Sequence, residues 1–254
     1  MRFPIFVLAI SALVLASCSD DSTTPTPSPA NYVVSTPGSY FLHANTTVDI
    51  TAAGIITESE ADPDSSVVTG TKTYSGRSAV ETVRYVNGVV ADTVYLSQSG
   101  SKVSSAFPLA FTVLGAPVDF GVRWVDVYDS SVDSWTALND TIPSFTINAG
   151  PSSYNGSAKL LFTGKKTGTE NIIVDGKTLS ANKAELTLNI TLYLQFSASV
   201  VVPVPIVLVQ RSWMVPDVGL VRAEQDAKVV SIMGVPPLPI PGFKTVLTKY
   251  NVVK

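Results

Sequence analysis

The chain has 254 residues, with 17 Lys and Arg against 20 Asp and Glu, a formal net charge of −3, one His and one Cys. That length allows one or two domains, and a hydrophobic content of 45% is ample for a sizeable core. A mildly acidic chain whose Lys and Arg never run longer than two lacks the footprint of nucleic-acid binding, and one His with one Cys cannot furnish the three or four ligands of a Cys/His zinc site.

Met1-Arg2 is a short positive start, and Phe3 to Leu15 is an apolar run too short to span a bilayer but right for a signal peptide. The run ends in Leu15-Ala16-Ser17-Cys18, which resembles the lipobox of bacterial lipoproteins. The resemblance implies that residues 1–17 are a lipoprotein signal peptide and that Cys18 is diacylated on sulfur, then acylated on its freed amine. At roughly 0.8 kcal/mol per buried CH₂, two or three acyl chains hold a protein on a membrane where one would be marginal. Ser19-Asp20-Asp21 is similar to the acidic tag with which some Gram-negative lipoproteins reach the cell surface. Residues 18–31 continue as a Ser/Thr/Pro-rich stretch that cannot bury enough surface to order itself, a tether reaching about 40 Å. With Cys18 consumed by lipid no disulfide can form, so the fold relies on its core.

Residues 32–254 contain no second linker and are expected to be one β-rich domain. Thr46–Ile56, Ser66–Tyr74, Ser78–Val86 and Val89–Ser97 are Val/Thr/Tyr-rich strand segments. Asn87-Gly88 and Asp175-Gly176 are hairpin turns of type I′, which needs φ > 0 at both central residues. Val118 to Tyr128 alternates apolar and polar, and Asp129–Ser134 turns the chain toward Trp135. The clearest element is Ala184–Ala198, where Leu186, Leu188, Ile190, Leu192, Leu194 and Phe196 share one face and polar residues the other. Extended, it would run about 50 Å, so it must bend or coil. Ile206–Val215 returns as its partner, and no window after the signal peptide keeps a helical apolar period.

No residue set points to catalysis. His43, the sole imidazole, stands near the first strand with no GxSxG elbow in the chain, and Gly176-Lys177-Thr178 lies in a hairpin turn, where a phosphate loop cannot form. Glu58, Glu60, Asp62 and Asp64 could give hard oxygen ligands to Ca²⁺, but alternate strand positions sit about 6.8 Å apart, and a solvated edge is the simpler reading. Trp124, Trp135 and Trp213 could line a sugar platform or pack in the core. Val200–Val209 and Met233–Phe243 are apolar, charge-free and rich in proline, and read as loops or broken edges. Pro203, Pro205, Leu238 and Ile240 would then either contact a partner or fold inward to plug the sheet.

From Tyr40 onward the chain also resembles curved-sheet and half-barrel envelope lipoproteins, through residues 68–77, Val94-Tyr95-Leu96 and the stretch from Trp213 to Glu224. The resemblance implies an all-β domain, a strongly curved antiparallel sheet forming a half-barrel or sandwich. The expected function is non-enzymatic binding of an apolar or lipid-like ligand in the concavity, lined by Leu186, Leu188, Ile190, Leu192, Leu194 and Phe196, with no cofactor and no metal. The alternative is a module that docks another envelope protein through its proline-bearing segments. Either way the expected place is the outer membrane, lipid-anchored through Cys18, on its periplasmic or surface face.

Overall fold

The computed structural model describes residues 29–253, apart from 114–115, 150–151, 198 and 233–234. Cys18 and most of the tether lie outside the described residues. Among the described residues every element is a strand: β1 (Tyr40–Ile50), β2 (Ile56–Glu58), β3 (Asp62–Tyr74), β4 (Arg77–Val86), β5 (Val89–Ser99), β6 (Lys102–Val113), β7 (Ala116–Asp129), β8 (Ser134–Ala149), β9 (Ser152–Val174), β10 (Lys177–Ser197), β11 (Val200–Val215), β12 (Gly219–Gln225), β13 (Lys228–Ile232), β14 (Val235–Ile240) and β15 (Gly242–Asn251).

One antiparallel sheet runs in the order β7-β6-β5-β4-β3-β1-β15-β12-β11-β10-β9-β8, with β2 paired on β1. The half-barrel expected from the sequence is carried further, to a nearly closed barrel, because the end strands β7 and β8 abut. Side chains close this seam. Trp135 of β8 donates its indole N–H to the Asp126 carbonyl of β7 at 2.7 Å, and the Arg123 guanidinium of β7 donates to the Asp140 carboxylate of β8. The Trp135 ring lies over Gly164 of β9, directly opposite it in register, where a side chain would collide with the indole.

Turn chemistry sets the register. Asn87-Gly88 and Asp175-Gly176 hold the positive φ pairs (52° and 76°, 50° and 73°) that type I′ hairpins require. Ser75-Gly76 does the same between β3 and β4. The first strand begins and ends earlier than Thr46–Ile56, because the chain turns at 51–54, where Thr51 Oγ1 accepts from the Ile55 N–H and Gly54 takes φ +83°.

Along the long strand the register shifts once: Lys183 pairs with Gly168 and Ala184 with Lys166, leaving Thr167 of β9 as the extra residue of a β-bulge. The interior holds two apolar clusters. The upper one gathers Phe41, Val68, Val103, Tyr128, Ala181, Ala184, Trp213 and Leu247. The lower one gathers Phe120, Ile147, Leu160, Phe162, Ile206 and the inward face of β10 from Leu186 to Leu194. Residues 32–34 are buried on the upper cluster, fixed by the Tyr32 N–H on Gln98 Oε1 (2.7 Å) and the Asp217 N–H on the Asn31 carbonyl (2.6 Å).

Of the two forms expected for the proline segments, loops or broken edges, the structure takes the second: both are strands paired on one side. Pro203 and Pro205 pair with Tyr193 and Thr191 of β10, while β12 joins β11 only from Gln210 onward. The proline half of β11 therefore has a ladder on one side only, and the missing N–H groups are tolerated there. β13 and β14 pair as a separate two-stranded sheet that folds inward: Val230 is buried in the lower cluster, with Leu238 and Ile240 packed against it.

Candidate functional site

The barrel lumen holds a cavity of about 310 Å³ between the N-terminal strands and β10–β12. Register determines what faces it. On β1, Phe41, His43 and Asn45 alternate inward; on β3, Asp64, Ser66 and Val68; on β4, Thr82 and Arg84; on β5 and β6, Val94, Leu96, Val103, Ser105 and Phe107. Tyr32 and Val34 close the upper end.

Most of this wall is apolar, and its polar part is concentrated at one end. His43 stands directly across from Asp64, and Ser66 across from Arg84, which places Arg84 diagonal to Asp64 within reach of a long side chain. The Arg84 guanidinium donates to Asp64 Oδ2 at 2.8 Å and grips Asp92 with two bonds of 2.9 and 2.7 Å. Asn45 Nδ2 donates to the same Asp64 oxygen at 2.6 Å. Asp64 is only 5% exposed, whereas the Asp92 side chain is 50% exposed, so the ion-paired chain runs from the lumen to the solvent. Two carboxylates flank one guanidinium, and these pairs hold Arg84 charged more firmly than usual. Burial lowers the His43 pKa, against the raising pull of Asp64, so the imidazole is neutral at pH 7.

Two acceptors at this end are left over. Asp64 Oδ1 and Asn45 Oδ1 are buried and accept no hydrogen bond among the described residues. The amide orientation is dictated by chemistry, since only the Asn45 NH₂ can face the Asp64 carboxylate. A buried unpaired acceptor costs about 1–3 kcal/mol.

Of the residues read from the sequence as ligand-lining, Leu186 reaches this cavity. Leu188, Ile190, Leu192 and Leu194 share its face but lie below the cavity, packed in the lower cluster. Phe196 is 37% exposed and meets Tyr154 edge-on, with ring centroids 5.2 Å apart. The acidic cluster disperses: Glu58 pairs with Lys244 at 2.6 Å, Glu60 and Asp62 are exposed, and Asp64 turns inward. Among the described residues no three His, Cys, Asp or Glu side chains are placed to hold a metal ion.

The tryptophans form no common platform. Trp124 packs under Arg77, Trp135 closes the seam, and Trp213 is buried between Lys183 and Arg222 with its N–H on Glu170 at 2.7 Å. Toward the joined ends of β10 and β11, Tyr193, Phe196, Val200 and Val201 are each exposed.

No protein family matches the chain. No curated protein matches it either. Among solved structures it is similar to a candidate lipoprotein of Parabacteroides distasonis ATCC 8503, at 14% identity over 88% of this chain and 99% of the other, with a TM-score of 0.45. A candidate exported protein with a YmcC-like fold from Bacteroides fragilis NCTC 9343 aligns at 13% identity over 87% and 99%, with a TM-score of 0.39.

Proposed function

We propose that the protein is a lipid-anchored outer-membrane protein, acylated at Cys18, whose barrel binds an apolar or amphiphilic small molecule without transforming it. The observation that carries this reading is the luminal cavity of about 310 Å³, apolar along most of its wall and polar at one end. Sites for small ligands have this character: concave, mostly apolar, with a few placed polar groups. The cavity volume corresponds to about ten non-hydrogen atoms at roughly 30 Å³ each, which fits a chain of medium length.

Leu96→Trp places an indole in the lumen at a half-buried position. The variant is expected to keep its melting temperature within a few degrees while losing uptake of a hydrophobic fluorophore that the parent protein enhances. Equal uptake by a folded variant would place the binding elsewhere.

A second reading, docking to another envelope protein, is favoured by the exposed Tyr193, Phe196, Val200 and Val201 toward the joined ends of β10 and β11. A photo-crosslinking side chain at Val201 is expected to give a discrete protein adduct in the native envelope. Adducts with lipid alone would dismiss that reading.

A further inference from the structure

The polar end of the cavity is more selective than an apolar pocket requires. Asp64 and Arg84 are not needed to close the barrel, since the strands around them pair through their backbones. Both carboxylate oxygens of Asp92 and one of Asp64 are taken by Arg84, so the cationic side of this group is already neutralised. What remains is acceptor capacity: Asp64 Oδ1 and Asn45 Oδ1, both buried, both without a donor among the described residues, on residues of facing strands that line the same cavity. Two carboxylates against one guanidinium also leave the group with one net negative charge. Beyond it the wall continues through Phe41, Val68, Leu96 and Val103, toward the end closed by Tyr32 and Val34.

Resting on the reading of the lumen as a binding site, we propose that its ligand is an amphiphile with a hydrogen-bond-donating head, a hydroxyl or an ammonium group, seated on Asp64 and Asn45 with its apolar body directed toward Val68, Leu96 and Val103. Once the Asn45 and Asp64 side chains turn toward the cavity to meet it, a head of this kind supplies the donors that their two buried oxygens lack. A carboxylate or phosphate head would bring further acceptors and a like charge to Asp64. The half-exposed Asp92 marks the polar side as the one nearer water, so the head remains near water while the chain occupies the apolar interior.

The test uses the full-length Cys18→Ser chain, which carries no acyl group, titrated by calorimetry below the critical micelle concentration with decylamine, decanol and decanoate. All three have the same ten-carbon chain, so head chemistry alone differs. Decylamine or decanol, or both, are expected to bind at least tenfold more tightly than decanoate; whichever leads identifies the donor. The double variant Arg84→Met with Asp64→Leu removes the buried carboxylate together with its cation, so neither is left unpaired, and it is expected to reduce that preference about three- to tenfold, the range for one hydrogen bond. Decanoate binding as well as the others, or an unchanged preference in that double variant, would overturn this inference while leaving the cavity a binding site. Binding of none of the three would overturn both.

Discussion

Gly164 tests whether the barrel is closed by the indole of Trp135. A Cβ built on Gly164 would fall inside the indole, 2.6 Å from Nε1 and closer still to Cε2 and Cζ2. Only backbone glycine lets the ring lie flat there and carry its N–H to the Asp126 carbonyl across the seam. In an open strand, Gly→Ala would gain about 0.5–1 kcal/mol, because glycine loses more chain entropy on folding. Here alanine must push Trp135 out of its seat, and overpacking of that kind costs about 1–3 kcal/mol. The two possibilities therefore differ in sign. Gly164→Ala is expected to lower the melting temperature by about 2–12 °C, at 2–4 °C per kcal/mol for a domain of this size. The assay is thermal unfolding followed by circular dichroism, with Trp135→Leu and the double variant beside it. In the double variant the clash is gone, so adding Gly164→Ala to Trp135→Leu should cost nothing or stabilise slightly. A neutral or raised melting temperature for Gly164→Ala alone would refute the assignment of the indole as the closing element.

Ile190 is 1% exposed on the inward face of β10, so Ile190→Asp is expected to prevent folding, whereas Thr191→Asp on the other face should be tolerated; comparable melting temperatures would show the faces misassigned. His43 is the only histidine and its pKa is lowered by burial, so the unfolded chain binds more protons below pH 6.5 than the folded one. Stability is therefore fully present above pH 6.5 and falls as pH drops below it toward the folded pKa, by at most about 1.4 kcal/mol per pH unit, and urea titrations of His43→Gln should lack that slope. Arg84→Met strands the buried Asp64 carboxylate and should cost about 3–5 kcal/mol in chemical denaturation, recovered in large part by adding Asp64→Leu. Cys18→Ser should abolish stable partitioning into the detergent phase, and equal membrane retention of the variant would contradict acylation at that residue.

The architecture is written in short-range signals that the chain obeys. The period-two pattern of Ala184 to Leu194 appears as a buried face, and the two I′ turns sit where Asn87-Gly88 and Asp175-Gly176 place them. For the proline segments the sequence leaves loop and edge strand open, because proline excludes a two-sided ladder but not a one-sided one, and sidedness is decided by where β12 stops, far along the chain. The polar end of the cavity was hidden for a related reason. Asp64 was visible only as one of four acids, and which of them faces inward depends on pairing with β1. Counting back from the Asn87-Gly88 turn would set Arg84 opposite Ala91; a bulge shifts the register so that it meets Asp92. One extra residue thus conceals an ion pair that no spacing rule would find. Of the six residues from Leu186 to Phe196 read as one lining face, Leu186 borders the cavity, while Leu188 to Leu194 lie in a packed layer whose partners come from strands distant in sequence.

The position of β15 governs when the barrel can form. It lies between β1 and β12, and its Thr248 hydroxyl bonds to the Leu42 carbonyl across 206 positions of sequence. Until it inserts, the β1–β7 meander and the β8–β12 meander are two sheets with unsatisfied edges, joined only at their far side by the β7–β8 connection. Such distant pairing makes acquisition of the native state slow, because most of the chain's loop-closure entropy is lost before the central ladder forms. A nascent chain therefore remains extensible until the ten-residue strand β15 is free, and in that interval its bare edges need protection from other strands.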